Sequence, residues 1–261
     1  MNNLPFFKYQ GTGNDFIMID DRTNSFPIEN NLLIKQLCNR NFGIGADGLI
    51  LLQNDKMADF KMVYFNSDGN QSTMCGNGGR CLVAFAKDLG IIDYQTQFSA
   101  IDGIHKAEIN NEIVKLKMND VSLIENHSTH FFLNTGSPHH VEFLDNIDDI
   151  NIQEIGSKIR YGSPYFEEGT NVNFVEIVDD QTIKIRTYER GVEGETLSCG
   201  TGVTAAAIAF HYSNQINATT IHVTAMGGEL KVCFETDGQK NYREIYLIGS
   251  AKKVFTGKID L

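Results

Sequence analysis

The stretch Thr73–Gly90, TMCGNGGRCLVAFAKDLG, sets Cys75 directly before a glycine-rich run and then an apolar run. From Leu82 to Leu89 the apolar residues recur at the i, i+3, i+4, i+7 spacing of one helix face. Gly90 is a typical C-terminal stop for such a helix. The pattern therefore predicts a helix over residues 78–90 that begins close to a cysteine.

The same arrangement returns 124 positions later, in LSCGTGVTAAAIAFHYSN, where Cys199 precedes Gly-x-Gly. Helical spacing from Val203 to Phe210 predicts a second helix over residues 201–214. A third helix is expected within residues 28–41, IENNLLIKQLCNRN. Each cysteine thus stands at the predicted start of a helix in its own half of the chain.

Short runs rich in β-branched and aromatic residues, bounded by Asn, Asp and Gly, predict strands through the rest of the chain. They lie at residues 16–20, 48–52, 61–65, 113–118, 139–144, 172–178, 183–188, 221–226, 229–234 and 245–249. Strands mixed with a few helices, without regular βαβ alternation, favour the α+β class.

A repeat of about half the chain supports this organisation. The shift of 124 that joins the cysteines also aligns Tyr64 with Tyr188, and Asp47 with Asn171. A shift of 123 places the turn TGND at Thr12 on TGSP at Thr135. Because the order of elements recurs along with these residues, the sequence predicts the duplication of one domain.

Composition bounds the function. The chain has 261 residues, 41% of them hydrophobic and 21% charged, which is a globular profile. A net charge of −11 without a Lys/Arg cluster argues against nucleic acid as a partner. No apolar run is long enough for a membrane span and no signal-peptide pattern opens the chain, so a soluble cytoplasmic protein is expected.

The five cysteines, Cys38, Cys75, Cys81, Cys199 and Cys233, do not form a dense disulfide pattern. Cys38, Cys81 and Cys233 lie in apolar runs, where a cysteine is usually an inert small hydrophobe. A redox pair of Cys75 with Cys199 is an alternative, although no C-x-x-C is present. A structural zinc site has less support, because no closely spaced ligand pair accompanies the cysteines.

The favoured interpretation uses the helix N-termini. Their unpaired N–H groups and positive dipole end stabilise both a thiolate and a bound carboxylate. Two thiols presented from opposite sides of a cleft between the halves suit stereoinversion of an α-amino acid. One thiolate removes the α-proton while the other thiol donates a proton to the opposite face.

The segments NSDGNQSTMCGNGGRC (66–81) and YERGVEGETLSCGTG (188–202) resemble the two signature segments of diaminopimelate epimerases. The resemblance continues through KYQGTGNDFIMID, GIGADGLILL, TGSPHHVEF, EGTNVNFVEI and IYLIGSAKKVFTGKI, and so covers nearly the whole chain. It implies two similar α+β domains, each with a mixed or antiparallel sheet wrapped around a central helix, and an active site in the cleft between them.

The expected domains are residues 1–120 with 250–261, because the last strand returns to the first domain, and residues 121–249. The resemblance implies interconversion of LL- and meso-diaminopimelate in lysine and peptidoglycan-precursor synthesis. It implies no pyridoxal phosphate, metal or other cofactor, and a homodimer whose only further partner is the small-molecule substrate.

Residue roles follow from the same resemblance. Cys75 and Cys199 are the expected acid and base. The backbone of Gly76, Asn77, Gly200 and Thr201 would hold the reacting carboxylate. The side chains expected to recognise the substrate's amino and carboxylate groups are Asn14, Asn66, Asn171, Glu189 and Arg190. Without the motif, the charged residues would be taken for a solvated pair and the asparagines for turn residues.

Two positions depart from a common form of the family pattern. Ser137, before Pro138 and His139, stands where some members have Asn, and Gly48 stands where some have Gln. Ser137 and His139 are therefore expected only as supporting residues of the site. His139 would orient or polarise a neighbouring group, or serve the turn alone.

Other functions remain open at this stage. GIGADG (43–48) matches G-x-G-x-x-G, but its helix precedes it and its strand follows, which is the reverse of a dinucleotide site. A proline or hydroxyproline racemase of the same architecture would also pair two cysteines. A non-catalytic amino-acid-binding protein would be expected to have lost one of them.

Overall fold

The computed structural model describes residues 3–214, 216–238 and 240–260, which form two compact units. The first unit comprises residues 1–116 and 249–261, and the second comprises residues 117–248. Both units combine a mixed sheet with two helices, so the predicted α+β class is confirmed.

The first unit runs from strand to strand around two helices. Its elements are β1 (Asn3–Gly11), β2 (Asn14–Asp20), α1 (Asn31–Cys38), β3 (Gly48–Gln53), β4 (Phe60–Asn66), α2 (Gly76–Asp88), β5 (Gln95–Ala100), β6 (Gly103–Asn110) and β7 (Ile113–Lys117), whose last residue belongs to the second unit, and β17 (Lys252–Asp260). The sheet order is β17-β1-β2-β3-β4-β5-β6-β7, with parallel pairing only for β2–β3 and β4–β5 among the described residues.

The second unit repeats this plan. Its elements are β8 (Ile124–Asn126), β9 (Phe131–Asn134), β10 (Pro138–Phe143), α3 (Ile152–Tyr161), β11 (Asn171–Ile177), β12 (Thr182–Glu189), β13 (Gly194–Thr196), α4 (Gly200–Asn214), β14 (Thr220–Ala225), β15 (Gly228–Thr236) and β16 (Tyr242–Ser250), whose last two residues belong to the first unit. The pairings β9–β10, β10–β11, β11–β12, β12–β14 and β14–β15 alternate between antiparallel and parallel in the same order as β1 to β6.

Strand register supports the predicted duplication. The parallel pair Phe16–Gly48 recurs, 124 positions on, as His140–Val172. In the next hairpin the register differs by two residues, since Tyr64 pairs with Ile50 whereas Tyr188 pairs with Val172. Tyr64 and Tyr188 therefore lie on corresponding strands but two steps apart along the ladder.

Each sheet packs around one long helix. In α2 every residue from Gly76 to Ala86 is buried, and in α4 every residue from Gly202 to His211 is buried. Strands from both ends of each sheet contact the helix, which explains why more than one face of it is apolar. None of the helices in the described part of the chain is long and apolar enough to cross a membrane.

The three predicted helices and ten predicted strands are present, with boundaries that differ by a few residues. Helix α2 begins two residues earlier than predicted and ends at Asp88, and Gly90 follows it at a φ of +70°. Helix α1 covers only the middle of the predicted segment. The predictions omitted α3 and the strands β1, β5, β6, β8, β9, β13 and β17.

Candidate active site

Cys75 is the residue that caps the N-terminus of α2. Its backbone is extended, with φ −94° and ψ 128°, and its carbonyl accepts the first helical hydrogen bond, from Gly79 N at 2.7 Å. The thiol is half-buried, whereas Gly76, Asn77 and Gly78 behind it are buried. A Cβ on Gly78 would lie 2.9 Å from Ile50 Cδ1, so glycine lets this turn sit close to β3.

Asn14 joins Cys75 to the helix start. Its Oδ1 accepts from Cys75 Sγ at 3.7 Å and from Asn77 Nδ2 at 3.4 Å. Its Nδ2 donates to Asp47 Oδ2 at 2.6 Å, which fixes the orientation of the amide. The preceding residues Thr12 and Gly13 have φ of +51° and +84°, so a tight turn delivers Asn14 at the start of β2.

A charged network supports Asn14 from behind, and the sequence had not indicated it. Asp47 accepts from Arg40 Nη2 at 2.7 Å, and Asp15 forms ion pairs with both Arg40 and Lys8 at 2.7 Å. Burial raises the pKa of Asp15, but these two cations outweigh it and lower the pKa to about 2. Asp15 is therefore a carboxylate at any physiological pH.

Asn66 and Gly48 stand apart from this cluster. Asn66 is exposed at the end of β4, where its N–H donates to Asn70 O in a turn. In the described part of the unit, no hydrogen bond joins the Asn66 side chain to Asn14 or Cys75. A Cβ on Gly48 would lie 2.6 Å from Tyr64 Cε2, so the tyrosine ring fills the space that a side chain there would need.

Cys199 directly precedes Gly200, the first residue of α4, and is 8% exposed. Its carbonyl accepts from Val203 N at 2.8 Å, and its Sγ lies 3.5 Å from Thr201 Oγ1. The Thr201 carbonyl accepts from Thr135 Oγ1 at 2.8 Å, which ties this turn to the TGSP segment. The relation of cysteine to helix is thus the same in both units.

Three predicted recognition residues converge on one hydroxyl in the second unit. Ser137 Oγ accepts from Asn171 Nδ2 at 2.9 Å and from Arg190 Nη2 at 3.5 Å. Asn171 Oδ1 accepts from Arg190 N at 3.0 Å, and Arg190 Nη1 donates to Glu168 O at 2.9 Å. The guanidinium is held by neutral oxygens in these contacts.

Glu189 is directed elsewhere by the contact the structure gives it. Its Oε2 accepts from Thr196 Oγ1 at 2.9 Å, across the β12–β13 pair. This hydroxyl fixes one carboxylate oxygen in an orientation set by the strand pair.

His139 is fully buried beside Asn173, a residue that sequence reasoning missed. Asn173 Nδ2 donates to His139 Nδ1 at 3.1 Å and to His140 O at 3.0 Å, while its Oδ1 accepts from Thr187 Oγ1 at 3.1 Å. These contacts fix the amide, so the neutral ring carries its proton on Nε2. Burial and the nearby Arg190 lower the pKa of His139 to about 3.

The remaining cysteines have different surroundings. Cys38 and Cys81 are buried, and burial raises the pKa of Cys38 to about 12 and that of Cys81 further. Cys233 is half-buried on β15. Within residues 3–214, 216–238 and 240–260, no three His, Cys, Asp or Glu side chains are grouped closely enough to hold a metal ion.

Comparison with solved structures identifies the fold. A phenazine biosynthesis protein of the PhzF family from Bacillus anthracis matches over 100% of both chains, with a TM-score of 0.79 and 14% identity. A probable proline racemase from Agrobacterium radiobacter covers 99% of this chain and 93% of its own, with a TM-score of 0.69 and 15% identity. At such low identity these similarities establish the two-domain architecture alone.

Sequence comparison is more specific. The family model for diaminopimelate epimerase matches residues 6–124 and 131–254. The diaminopimelate epimerase of Flavobacterium psychrophilum is 56% identical over 253 residues, which is 97% of this chain and 98% of that protein. The chain belongs to the diaminopimelate epimerase family.

Proposed function

We propose that this protein is an isomerase that interconverts LL- and meso-diaminopimelate by a two-cysteine acid–base mechanism, without pyridoxal phosphate or a metal. Family membership at 56% identity supports the reaction. The observation that carries the mechanism is the repeated placement of a cysteine at the buried, glycine-rich start of α2 and of α4. Lysine biosynthesis is the pathway that this reaction serves.

The proposed chemistry moves one proton on and one proton off the α-carbon. The thiolate of one cysteine takes the α-proton, which leaves a carbanion conjugated with the α-carboxylate. The thiol of the other cysteine, on the opposite face, donates its proton to that carbon and becomes the thiolate. For the reverse direction the two cysteines exchange roles, so atoms and charge balance without an external reagent.

The helix starts supply the electrostatic term. Backbone N–H groups of Gly76, Asn77, Gly200 and Thr201 are proposed to bind the α-carboxylate, whose oxygens carry the charge that develops in the transition state. Because Gly76, Asn77 and Gly200 are buried, these dipoles act away from bulk water, where they are worth more than at the surface.

Recognition of the rest of the substrate is assigned to the side chains around these turns. Asn14, already held by Asp47, presents its amide beside Cys75. Arg190 suits a carboxylate because its planar fork binds bidentately, and Glu189 suits an ammonium group. Asn171 and Ser137 would orient Arg190, and Asn66 would reach the substrate from the end of β4.

The decisive experiment is proton NMR of LL-diaminopimelate in D₂O with the reduced protein and no added cofactor. Appearance of the meso isomer with deuterium at the inverted α-carbon is the expected result. Absence of both exchange and inversion with folded, reduced protein would reject the reaction. Proline and hydroxyproline in parallel samples test the racemase alternative, which predicts exchange there instead.

Variants separate the two cysteines. Cys75→Ser and Cys199→Ser should each abolish inversion, while the remaining thiol can still exchange the α-proton of the isomer that faces it. Cys38→Ala is the matched control, because Cys38 is buried and its pKa is raised. Full inversion by either serine variant would refute the two-base mechanism.

The remaining parts of the proposal concern cofactors, assembly and location. Activity that is unchanged by EDTA and by removal of pyridoxal phosphate would support the cofactor-independent assignment. Light scattering of the purified protein tests the proposed homodimer, and fractionation of cells tests the proposed cytoplasmic location.

A further inference from the structure

Arg80, in the second turn of α2, is a buried cation without an anionic partner in the described part of the chain. Besides histidines, three basic side chains are buried in this part: Lys8, Arg80 and Arg160. Lys8 pairs with Asp15 at 2.7 Å, and Arg160 pairs with Glu193 at 3.1 Å. Arg80 is 0% exposed and has no carboxylate within ion-pair distance among these residues.

The guanidinium is aimed at the start of its own helix. Its Nη2 donates to Thr12 Oγ1 at 2.9 Å and its Nη1 to the Gly76 carbonyl at 3.4 Å, while Nε has no hydrogen-bond partner. Side chains in helices lean toward the N-terminus, so this position follows from the sequence spacing. The positive charge lies behind the turn that carries Cys75, one residue before Gly76.

A buried, unpaired guanidinium is costly to folding, and burial lowers the pKa of Arg80. Arginine nevertheless stays charged in proteins. A cation so placed lowers the energy of a negative charge at the helix start, in addition to the helix dipole. We propose that Arg80 is a positioning residue for the reaction, a buried cation that holds Cys75 as the thiolate in the resting protein. This role rests on the two-cysteine function proposed above.

The other titratable groups near Cys75 in this unit do not supply that charge. They are Asp15 and Asp47 with their partners Lys8 and Arg40, and the neighbouring Cys81. The two carboxylates and two cations of the first group pair with one another. Burial raises the pKa of Cys81, which therefore remains a neutral thiol. Arg80 is the charge that this balance leaves over.

The second unit lacks this cation at the corresponding position. The 124-residue shift places Thr204 on Arg80, and Thr204 Oγ1 donates to the Gly200 carbonyl at 2.9 Å, as Arg80 does to that of Gly76. A neutral hydroxyl thus replaces a charge in an equivalent helix. The inference is that the two cysteines are inequivalent, and that Cys75 is the one ionised at neutral pH.

The test measures ionisation directly and needs no substrate. Reduced protein is alkylated with iodoacetamide from pH 5 to 10, and mass spectrometry gives the rate separately for the peptides carrying Cys75 and Cys199. Arg80→Met removes the charge, Arg80→Lys retains it, and Lys87→Met removes a charge from the other end of the same helix. Arg80→Met should raise the apparent pKa of Cys75 by about one unit or more, a tenfold or greater loss of rate at pH 7.

Arg80→Lys should restore most of the Cys75 rate, and Cys199 should be unaffected in every variant. An unchanged Cys75 pKa in folded Arg80→Met would overturn the proposal, because a purely structural role for Arg80 would not move it. If Arg80→Met does not fold, the wild-type profile decides. A Cys75 pKa at or above the reference of about 8.5, or above that of Cys199, would refute the proposal.

The outcome is independent of the epimerase assay. A charge-dependent pKa of Cys75 in a protein that does not epimerise diaminopimelate would reject only the proposed reaction. An active epimerase in which the Cys75 pKa ignores Arg80 would reject only the role of Arg80. In an active enzyme, Arg80→Met should also move the acidic limb of the kcat/KM profile to higher pH, with little change in KM.

Discussion

Gly202, two residues into α4, is the position where the smallest added group should do the most damage. A Cβ there would lie 2.4 Å from Asn173 Oδ1 and 3.4 Å from Cys199 Cβ. An ordinary carbon–oxygen contact is about 1 Å longer than the first of these distances. Gly202→Ala therefore forces the buried Asn173 amide to move.

The cost follows from what Asn173 holds. Its amide makes three buried hydrogen bonds, to Thr187, His139 and the His140 carbonyl. A displacement near 1 Å breaks one or two of them and leaves buried polar groups unsatisfied, at about 1–3 kcal/mol each. Alanine's better helix propensity offsets less than about 1 kcal/mol. The expected destabilisation is about 2–4 kcal/mol.

Urea unfolding at pH 7 measures this effect. The matched control is Gly194→Ala, where the nearest atom is the flexible Gln153 Oε1 at 3.5 Å, and its unfolding free energy should change by less than about 1 kcal/mol. A double-mutant cycle with Asn173→Ala is sharper, because once the amide is gone the added methyl has nothing to displace. Gly202→Ala should then cost little in the Asn173→Ala background. Additive costs in the double variant, or equal costs at the two glycines, would refute the reasoning.

Three further predictions concern acid, oxidation and the arginine clamp. His139 has its folded pKa lowered to about 3, below the unfolded value near 6.5, so its stabilisation is lost as pH falls below about 6.5. Between pH 7 and 5 wild type should lose about 2 kcal/mol more unfolding free energy than His139→Gln in urea titrations, and equal losses would contradict this. If both thiols act on one α-carbon, mild oxidation should join Cys75 to Cys199 and abolish activity until reductant is added; full activity with both thiols demonstrably oxidised would exclude it. Ser137→Ala removes the hydroxyl shared by Asn171 and Arg190, and should raise KM several-fold with a smaller change in kcat; a loss confined to kcat would argue against a binding role.

The elements that the sequence failed to predict share a physical cause. Helix α3 buries Ile152, Gly156 and Arg160, so its inward stripe contains one apolar side chain where the pattern search requires several. A Cβ on Gly156 would lie 2.5 Å from Tyr188 Cβ, which explains the glycine inside a helix. Strand β17 buries no side chain fully and is held by its pairing with β1, so it carries no alternation to detect.

The site was predictable where a motif named the residue and opaque where a contact did. Cys75, Asn14 and Asn77 lie together as the family pattern suggested. Asn173 was missed because it reads as one polar residue within an apolar strand, and only its three buried hydrogen bonds show its importance. Arg80 was missed because nothing in the string CGNGGRC distinguishes a buried cation from a solvated one.

Duplication explains why the two halves match in backbone and differ in charge. The shift of 123 places Asn14 on Ser137, and the shift of 124 places Asp47 on Asn171. The contact between these positions is kept in both units, but its polarity is reversed: Asn14 donates to Asp47, whereas Asn171 donates to Ser137. The first unit thus has a carboxylate at a place where the second has a neutral amide.

The same divergence recurs behind the helix starts, where the first unit has Arg80 and the second has Thr204. A duplicated fold would by itself give two equal thiols, each at the same kind of helix N-terminus. A cofactor-independent inversion needs unequal ones at every moment, since one must be the base while the other is the acid. Side-chain charges that differ between the units, rather than the substrate alone, are then what sets which cysteine starts as the base.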